Sequence, residues 1–313
     1  MILFFGGKMR DEDSRKLKSA ISGILIVDKP SGMTSHDVVS VIRKGTGFRR
    51  IGHTGTLDPR ATGVLVILIG PAVRLSEYLV CDKKGYEATI RFGSVSDTYD
   101  GDGKVVQTGH DYPMDEEEIM DIMDTFTGNI TQVPPAYSAI KINGKKAYDL
   151  ARKGEEVKMK ERNVTIYSFD FIEYNPPELI ADIVCSSGTY IRSIAHDLGQ
   201  KLGCGAYLSG LKRTRSGNFS LRDAVPLSVL QKAFEDGNWY QYLIPAADAL
   251  TEYEEVMLNM EDEANILHGR RIPASQGEHG MLGKAVSEQG ELIALLEFIP
   301  ETFEWKPKKV FYQ

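Results

Sequence analysis

Cysteine is scarce in this sequence, and its spacing excludes two common kinds of site. There are three cysteines in 313 residues, Cys81, Cys185 and Cys204. No two of them form a Cys-x-x-Cys pair, so the sequence indicates neither a structural zinc site nor a disulfide framework. Isolated thiols of this kind are typical of reduced, buried side chains, and we expect a cytoplasmic protein.

Long hydrophobic runs and nucleotide-binding loops are absent as well. The apolar residues 1–5 are too few for a signal peptide and are followed closely by charged side chains. No run approaches the roughly 20 apolar residues that a membrane-spanning helix requires. Because no phosphate-binding loop or metal-ligand spacing occurs either, we expect no membrane partner, no metal and no cofactor.

Positive charge is outnumbered but concentrated. The formal net charge is −7, which by itself argues mildly against a nucleic-acid partner. The acids cluster in residues 115–124 and 252–263, and neither stretch contains a base. Residues 198–222 contain five bases and no acid. An acidic protein with this segregation can still present a positive groove to an RNA backbone.

The most distinctive stretch is a group of polar residues between glycines at 51–63. Three glycines there bracket one carboxylate, Asp58, which precedes Pro59. The apolar run 64–69 that follows predicts a strand buried on both faces. Because Pro59 restricts the backbone of Asp58, the carboxylate is aimed from a loop at the edge of the core. A simple Asp-Pro turn, with the glycines as punctuation, is the alternative interpretation.

This stretch resembles the signature of the bacterial tRNA pseudouridine synthases that modify the T-loop uridine, position 55 in tRNA. The match is Gly-His-Thr-Gly-Thr-Leu-Asp-Pro followed by Ala-Thr-Gly, within residues 52–63. The resemblance implies that Asp58 is the catalytic nucleophile. It also implies that His53 occupies or braces the space that the extruded base leaves in the RNA.

Further segments resemble motifs of the same family in the same order. Residues 29–37 resemble its first motif, which implies a structural role beneath the catalytic loop. Tyr86 matches a tyrosine that stacks on the target base and assists the proton step, although a strand tyrosine is more often part of a core. Residues 188–192 and Leu211 match later motifs, which implies that Tyr190 binds substrate and Leu211 lines the uracil pocket.

Arg192 is placed unusually within a predicted helix. Thr189 is the expected N-cap, and an apolar stripe that ends at Leu202 supports the helix. Arg192 would lie in the first turn, where the helix dipole disfavours a cation, so it requires an anionic partner. Any nearby carboxylate would serve. The family motif implies Asp58, and we expect this catalytic pairing to lower the pKa of Asp58.

Residues 131–160 combine a Pro-Pro pair with seven bases, among them Lys141, Lys145 and Lys146. One interpretation is a solvated hairpin, because charge runs are usually solvated faces. The other is a mobile basic flap that closes on a phosphate backbone. The resemblance implies the flap, with these three lysines binding the RNA. The preceding loop 93–104 has a spacing that suggests calcium binding, but the terminal glutamate of such a loop is missing.

The resemblance implies an α+β fold. A mixed, largely antiparallel sheet flanked by helices would form the pseudouridine-synthase core, and a small β-barrel of the PUA type would close the chain. The expected divisions are a flexible leader at 1–22, a catalytic domain at 23–245 with its flap at about 131–160, and an RNA-binding module at 246–313. A generic β appendage is the alternative for the last segment.

The implied activity is isomerisation of uridine to pseudouridine in the T-arm of tRNA, by a monomer without a guide RNA. The C–N glycosidic bond breaks, the uracil turns over and rejoins through carbon. Chemistry on a base inside a stem-loop requires that the base be extruded. Two alternatives remain open. One is a non-catalytic RNA-binding or chaperone protein on the same fold, and the other is a guide-RNA-dependent relative, which the lack of long extra terminal segments disfavours.

Overall fold

The computed structural model describes residues 21–79, 83–113, 115–138, 140–142, 144–151 and 158–311. Nearly all of the leader predicted at 1–22, and residues 152–157 of the predicted flap, lie outside the described residues. The strands in chain order are β1 (Gly23–Lys29), β2 (Ile51–His53), β3 (Thr62–Ile69), β4 (Lys83–Phe92), β5 (Ser94–Ser96), β6 (Val105–Gln107), β7 (Gly128–Gln132), β8 (Lys141–Ile142), β9 (Lys145–Lys146), β10 (Arg162–Asn175), β11 (Glu178–Ser186), β12 (Ala206–Ser216), β13 (Phe219–Ser220), β14 (Val225–Pro226), β15 (Ile244–Pro245), β16 (Glu254–Met257), β17 (Ile272–Pro273), β18 (Leu282–Val286), β19 (Leu292–Ile299) and β20 (Glu304–Val310).

Along the sequence, the α-helices of the described part of the chain are interspersed among these strands. None of them has the length and apolar character needed to cross a bilayer. They are α1 (Ser35–Thr46), α2 (Glu116–Asp124), α3 (Ala147–Ala151), α4 (Ile191–Lys201), α5 (Leu227–Asp236) and α6 (Met260–Leu267).

An eleven-stranded sheet forms the body of the protein. Its main path runs β14–β1–β3–β12–β4–β11–β10–β7, with β15 beside β1, β2 beside β3 and β13 beside β12. The pairings β1–β14 and β3–β12 are parallel, and the other pairings of this sheet are antiparallel. The predicted α+β fold with a mixed, largely antiparallel sheet is therefore confirmed.

Strand β3 is an interior strand of this sheet and is buried on both faces, as its unbroken apolar run predicts. Residues 64–69 are at most 1% exposed and pack into two separate cores on the two faces of the sheet. At its start, Gly63 has a φ of 95°, and a Cβ there would lie 2.3 Å from the carbonyl oxygen of Arg213. A glycine is required at this position because β12 approaches so closely. The loop that carries Asp58 thus enters the sheet where β3 and β12 meet.

Helix α4 begins one residue later than the sequence predicts. Its N-cap is Tyr190, with extended backbone, and not Thr189. The hydroxyl of Thr189 donates instead to the carbonyl of Ser186, 2.8 Å away, so this side chain closes the turn after β11. Arg192 still lies in the first turn of the helix, as expected. At α1, Thr34 and Asp37 form a capping box, which an acidic residue three positions after a threonine at a helix start favours.

A second sheet of five strands, in the order β16–β18–β19–β20–β17, forms the C-terminal module together with α6. Its inner face packs around Trp305, which is 2% exposed. On its other side, Leu295 and Phe311 belong to the same buried cluster as Ile24 and Val66 of the main sheet. The small C-terminal β module that the sequence predicts is present, and it shares a core with the body of the protein.

Candidate active site

A cleft of about 1130 Å³ lies between the loop before β3 and the neighbouring strands β4 and β12. Five of the predicted site residues line it, although they are spread over more than 150 positions of the chain. They come from the loop before β3, from β4, from the start of α4 and from β12, and they are Asp58, Tyr86, Tyr190, Arg192 and Leu211.

The loop that carries Asp58 is held from below by the first motif. The ammonium of Lys29, which is fully buried, donates to the carbonyl of Pro59 at 3.0 Å and to that of Met33 at 2.6 Å. Burial lowers the pKa of Lys29 to about 8, against the opposing influence of the Asp58 charge. The hydroxyl of Ser35 accepts from the amide of Leu57 at 2.8 Å. Both neighbours of Asp58 are therefore anchored, and the structural role implied for residues 29–37 agrees with these contacts.

Arg213 holds the same loop from the side of β12. Arg213 is 2% exposed, and its guanidinium donates to the carbonyls of Val64, Gly55 and Thr56, at 2.7, 3.2 and 3.4 Å. Burial lowers the pKa of Arg213, and a hydrogen bond with Tyr86 works in the opposite direction. Sequence reasoning gave this residue no role in the site. The signal was its spacing, because Arg213 lies two residues after Leu211 and so faces the same side of the strand.

Asp58 and Arg192 form the ion pair that the motifs predict. Their Oδ2 and Nε atoms are 3.2 Å apart, and the Arg192 side chain is only 7% exposed. Arg192 also donates through both terminal nitrogens to the carbonyl of Tyr137, at 3.2 Å each. The first part of the predicted flap therefore lies directly against the guanidinium.

Asp100 is a second partner of Arg192 that sequence reasoning missed. Its Oδ2 lies 3.2 Å from an Arg192 terminal nitrogen, while its Oδ1 accepts from the hydroxyl of Thr98 at 2.5 Å and the amide of Asp102 at 2.9 Å. The acid-rich loop 93–104 was considered only as a calcium site. Asp100 of this loop instead contacts a cation of the cleft, and no cluster of three potential metal ligands occurs within the described ranges.

The pKa of Asp58 moves in the direction opposite to the one expected. Burial raises it, Arg192 lowers it, and the nearby charges of Asp100 and Asp102 raise it further. The side chain is 42% exposed, but this exposure is to a cleft walled by protein, where bulk water solvates a charge poorly. The expectation that Arg192 dominates is wrong because desolvation is the larger effect.

Tyr86 and Leu211 line the cleft from neighbouring strands. Tyr86 on β4 is paired with Arg213 on β12, and Leu211 is paired with Ala88. Burial raises the pKa of the Tyr86 hydroxyl, which therefore stays protonated at neutral pH. An aromatic ring and a leucine side chain at this spacing can contact the faces of a planar base.

Tyr190 lies between two guanidinium groups. The Arg162 carbon Cζ is 5.1 Å from its ring centroid, and that of Arg192 is 5.9 Å away. The side chain of Gln132 holds the Tyr190 backbone with two hydrogen bonds, of 2.8 and 3.0 Å. The wall of the cleft therefore includes an aromatic ring with two positively charged guanidinium groups nearby.

His53 and the three predicted lysines belong to other elements of the fold. His53 ends β2 and is not part of the lining of the cleft. Its pKa is lowered by burial, by Arg213 and by His36, and within the described residues its Nδ1 has no hydrogen-bond partner. Lys141 begins β8, and Lys145 and Lys146 form β9, which pairs with it as a two-stranded hairpin.

Comparison with known proteins shows which family this chain resembles. Residues 43–191 match the family model described as TruB family pseudouridylate synthase (N terminal domain), and residues 192–261 match the tRNA pseudouridylate synthase B C-terminal domain. The chain is 45% identical to tRNA pseudouridine synthase B of Syntrophotalea carbinolica, over 74% of this chain and 76% of the relative. It is 41% identical to the protein of that name from Clostridium kluyveri, over 86% and 90%.

The similarity extends to solved structures. A chain from the "Structure of H/ACA RNP bound to a substrate RNA containing 2'-deoxyuridine" superposes with a TM-score of 0.71 and 25% identity, over 96% of this chain and 87% of that one. Fold and cleft together define the class: this is a pseudouridine synthase. Within that class, the chain belongs to the TruB family.

Proposed function

We propose that the protein isomerises uridine to pseudouridine in the T-loop of tRNA, at position 55. The observation that carries the proposal is the Asp58–Arg192 pair, 3.2 Å apart, in a cleft whose walls include Tyr86 and Leu211. A protein that only bound RNA would not need a partly exposed carboxylate on a loop that buried side chains hold in place. The relatives that share the fold and the motifs are described as tRNA pseudouridine synthases.

The reaction is an isomerisation whose atoms balance without a co-reactant. The bond between C1′ of the ribose and N1 of the uracil breaks, and the uracil turns over while it stays in the cleft. A bond then forms between C1′ and C5, the C5 proton leaves, and N1 gains a proton. The protein supplies a nucleophile, a place for the free base and a route for the proton.

Asp58 is the proposed nucleophile, and it acts in its ionised form. Arg192 stabilises that form and fixes the direction of the carboxylate through its Nε. Tyr86 stacks on the extruded base and assists the proton step, while Leu211 contacts the base from the neighbouring strand. Tyr190 binds the substrate at the wall of the cleft, and His53 occupies or braces the space that the extruded base leaves.

The proposed partner is the T-arm of tRNA, bound by a monomer without a guide RNA. Lys141, Lys145 and Lys146 are proposed to contact its phosphates, and the chemistry is proposed to belong to residues 23–245. The module at 246–313 would bind tRNA outside the T-arm. The similarity to a chain of an H/ACA assembly makes guide dependence the alternative that the test must address.

The test is a pseudouridine-specific assay on an unmodified T-arm hairpin, with no other RNA present. Wild-type protein should convert the hairpin fully. Asp58→Asn should abolish turnover while RNA affinity and the circular dichroism spectrum stay unchanged, because the amide is isosteric but not nucleophilic. Asp236→Asn is the matched control, since Asp236 is an exposed residue at the end of α5.

Each outcome decides between the alternatives. Turnover by Asp58→Asn comparable to wild type would remove Asp58 from the reaction. Absence of turnover by wild type on the hairpin, with activity restored by a guide RNA, would establish the guide-dependent alternative. Binding without turnover under both conditions would establish a non-catalytic RNA-binding protein.

A further inference from the structure

Tyr99 has a backbone conformation that its residue type disfavours. Its φ is 64°, and it is one of two non-glycine residues with positive φ in the described part of the chain. For a bulky side chain this region of φ is an outlier, since the Cβ crowds the following carbonyl group. Such a conformation persists where surrounding contacts compensate for it, and it is often found at functional sites.

The turn at Tyr99 brings both of its neighbours to Arg192. The carbonyl of Thr98 accepts from a terminal nitrogen of Arg192 at 3.3 Å, and the carboxylate of Asp100 lies 3.2 Å from the same nitrogen. In an extended strand, the carbonyl of Thr98 would lie in the plane of the sheet and the side chain of Asp100 would stand perpendicular to it. The left-handed residue between them allows one guanidinium to contact both.

The ring of Tyr99 has a contact that can compensate for the strained backbone. It stacks on the imidazole of His196, with ring centroids 3.9 Å apart and an angle of 10° between the ring planes. His196 lies four residues after Arg192 on α4, which places the two side chains one above the other on the same helix face. Helix α4 therefore contacts the 98–100 turn at two points, one ionic and one aromatic.

We propose that the Tyr99–His196 stack is a positioning device for the known reaction type, because it sets the contact of Asp100 with Arg192 and thereby the charge balance at Asp58. The inference rests on the proposed function, since the charge balance matters only if Asp58 acts as an ionised nucleophile. Tyr99 and His196 do not line the cleft, so they act through other residues.

The charged groups around Asp58 determine what loss of the stack would do. These groups are Arg192 and Lys29, which lower its pKa, and Asp100 and Asp102, which raise it. If Asp100 moves away from Arg192, its charge repels the Asp58 carboxylate less. The Arg192 guanidinium then contacts one carboxylate instead of two. The pKa of Asp58 then decreases, while Arg192 loses one of the contacts that orient it.

The experiment measures single-turnover rates on the T-arm hairpin across a pH series for four single variants and one double variant. Tyr99→Gly removes the ring yet tolerates positive φ, so it separates the loss of stacking from added strain. His196→Ala removes the other ring. Tyr99→Phe and His196→Phe are the conservative variants, and His196→Phe also removes a titratable group. KM is measured alongside the rate of the chemical step.

Tyr99→Gly and His196→Ala should each lower the rate by about tenfold, with KM changed by less than about twofold, because a misplaced catalytic group affects the chemical step. The acidic limb of the pH profile should move to lower pH in both. Both phenylalanine variants should behave like wild type, and the double variant Tyr99→Gly with His196→Ala should be no worse than either single one.

Two results would overturn the inference while leaving the proposed function intact. One is a Tyr99→Gly protein with the rate and pH profile of wild type. The other is a crystal structure of Tyr99→Gly in which Asp100 keeps its contact with Arg192 although the rate has fallen. A wild-type protein that converts no uridine would instead overturn the proposed function itself.

Discussion

Asp58 lies between opposing electrostatic influences, and their balance decides the pH at which it can act. Desolvation by the protein around the cleft raises its pKa, and Arg192 is the strongest influence in the other direction. A carboxyl with a raised pKa is protonated at a higher pH than usual and loses its nucleophilic form there. The same environment that limits Asp58 at low pH makes its carboxylate less solvated, and therefore more reactive, once it is ionised.

The wild-type rate should therefore show an acidic limb above the ordinary aspartate value of 3.8. The rate should fall at acidic pH because the ionised fraction of Asp58 decreases as the pH drops through its raised pKa. Single-turnover rates on the T-arm hairpin, measured from about pH 4 to 8, would show this limb. Circular dichroism and RNA binding at each pH control for unfolding and lost affinity. A rate that stays constant down to about pH 4 would contradict a raised pKa.

Arg192→Lys should be a severe change although it keeps the charge. One guanidinium contacts Asp58, Asp100 and the carbonyl of Tyr137 at once, and a lysine ammonium cannot reproduce this planar set of donors. We expect the rate of the chemical step to fall by about a hundredfold, with a much smaller change in RNA affinity. Single-turnover kinetics and a binding titration on the same hairpin separate the two effects.

Arg91→Lys is the matched control for this substitution. Arg91 forms an ion pair with Glu178 at 3.1 Å, but it is 43% exposed and lies outside the cleft lining. Exposed pairs contribute little, so this variant should resemble wild type. If Arg192→Lys also retained most of its activity, the contact with Asp58 would not be important for the reaction.

At the scale of elements, the site is assembled by contacts between segments that are far apart in sequence. The segment before β8 contacts α4 twice, through the carbonyl of Tyr137 on Arg192 and that of Val133, which accepts from Ser193 at 2.8 Å. The basic hairpin β8–β9 therefore begins close to the cleft. This position is the one that a flap closing on a bound RNA requires.

RNA affinity should depend steeply on salt, and the basic segment should contribute to that dependence. Replacing Lys145, Lys146 and Lys153 with alanine should reduce the slope of log affinity against log salt by about two to three, because each neutralised phosphate adds nearly one. Filter-binding titrations at several salt concentrations measure the slope. Replacing Lys44 and Lys232, exposed lysines of α1 and α5, is the control. An unchanged slope in the triple variant would indicate that these three lysines belong to a solvated face and do not contact RNA phosphates.

At the scale of the whole molecule, the C-terminal module is joined to the body by packing. Leu250, Leu295 and Phe311 are nearly fully buried in one cluster with Ile24 and other residues of the main sheet. Removing everything after residue 245 would expose that apolar surface and lower the free energy of unfolding. Truncation therefore cannot separate the binding role of the module from its structural role.

Charge substitutions can separate the binding role of the C-terminal module from its structural role. Replacing the exposed Arg270, Lys306 and Lys308 with glutamine should raise KM on whole tRNA several-fold and leave kcat nearly unchanged, since uniform binding does not accelerate the chemical step. On the isolated T-arm hairpin, which is proposed not to reach this module, the variant and wild type should be alike. A large loss of kcat in the folded variant would show that the module shapes the active site.

Sequence alone determined the features that depend on neighbouring residues. The buried strand at 64–69, the capping box of Thr34 and the place of Arg192 in the first turn of its helix all follow from local patterns, and the structure confirms them. The motifs also indicated the fold and the family. These predictions succeed because hydrophobic periodicity, capping and dipole effects act over a few residues.

Tertiary structure alone decided the features that depend on distance through space. Asp100 approaches Arg192 across 92 positions of sequence, Arg213 reaches back to the carbonyl of Gly55, and Tyr99 stacks on His196. The direction of the Asp58 pKa was mispredicted for the same reason: desolvation is set by everything packed around the carboxylate, and the motif names only its partner. Burial and through-space charge are properties of the folded arrangement, because they sum contributions from segments that the chain keeps apart.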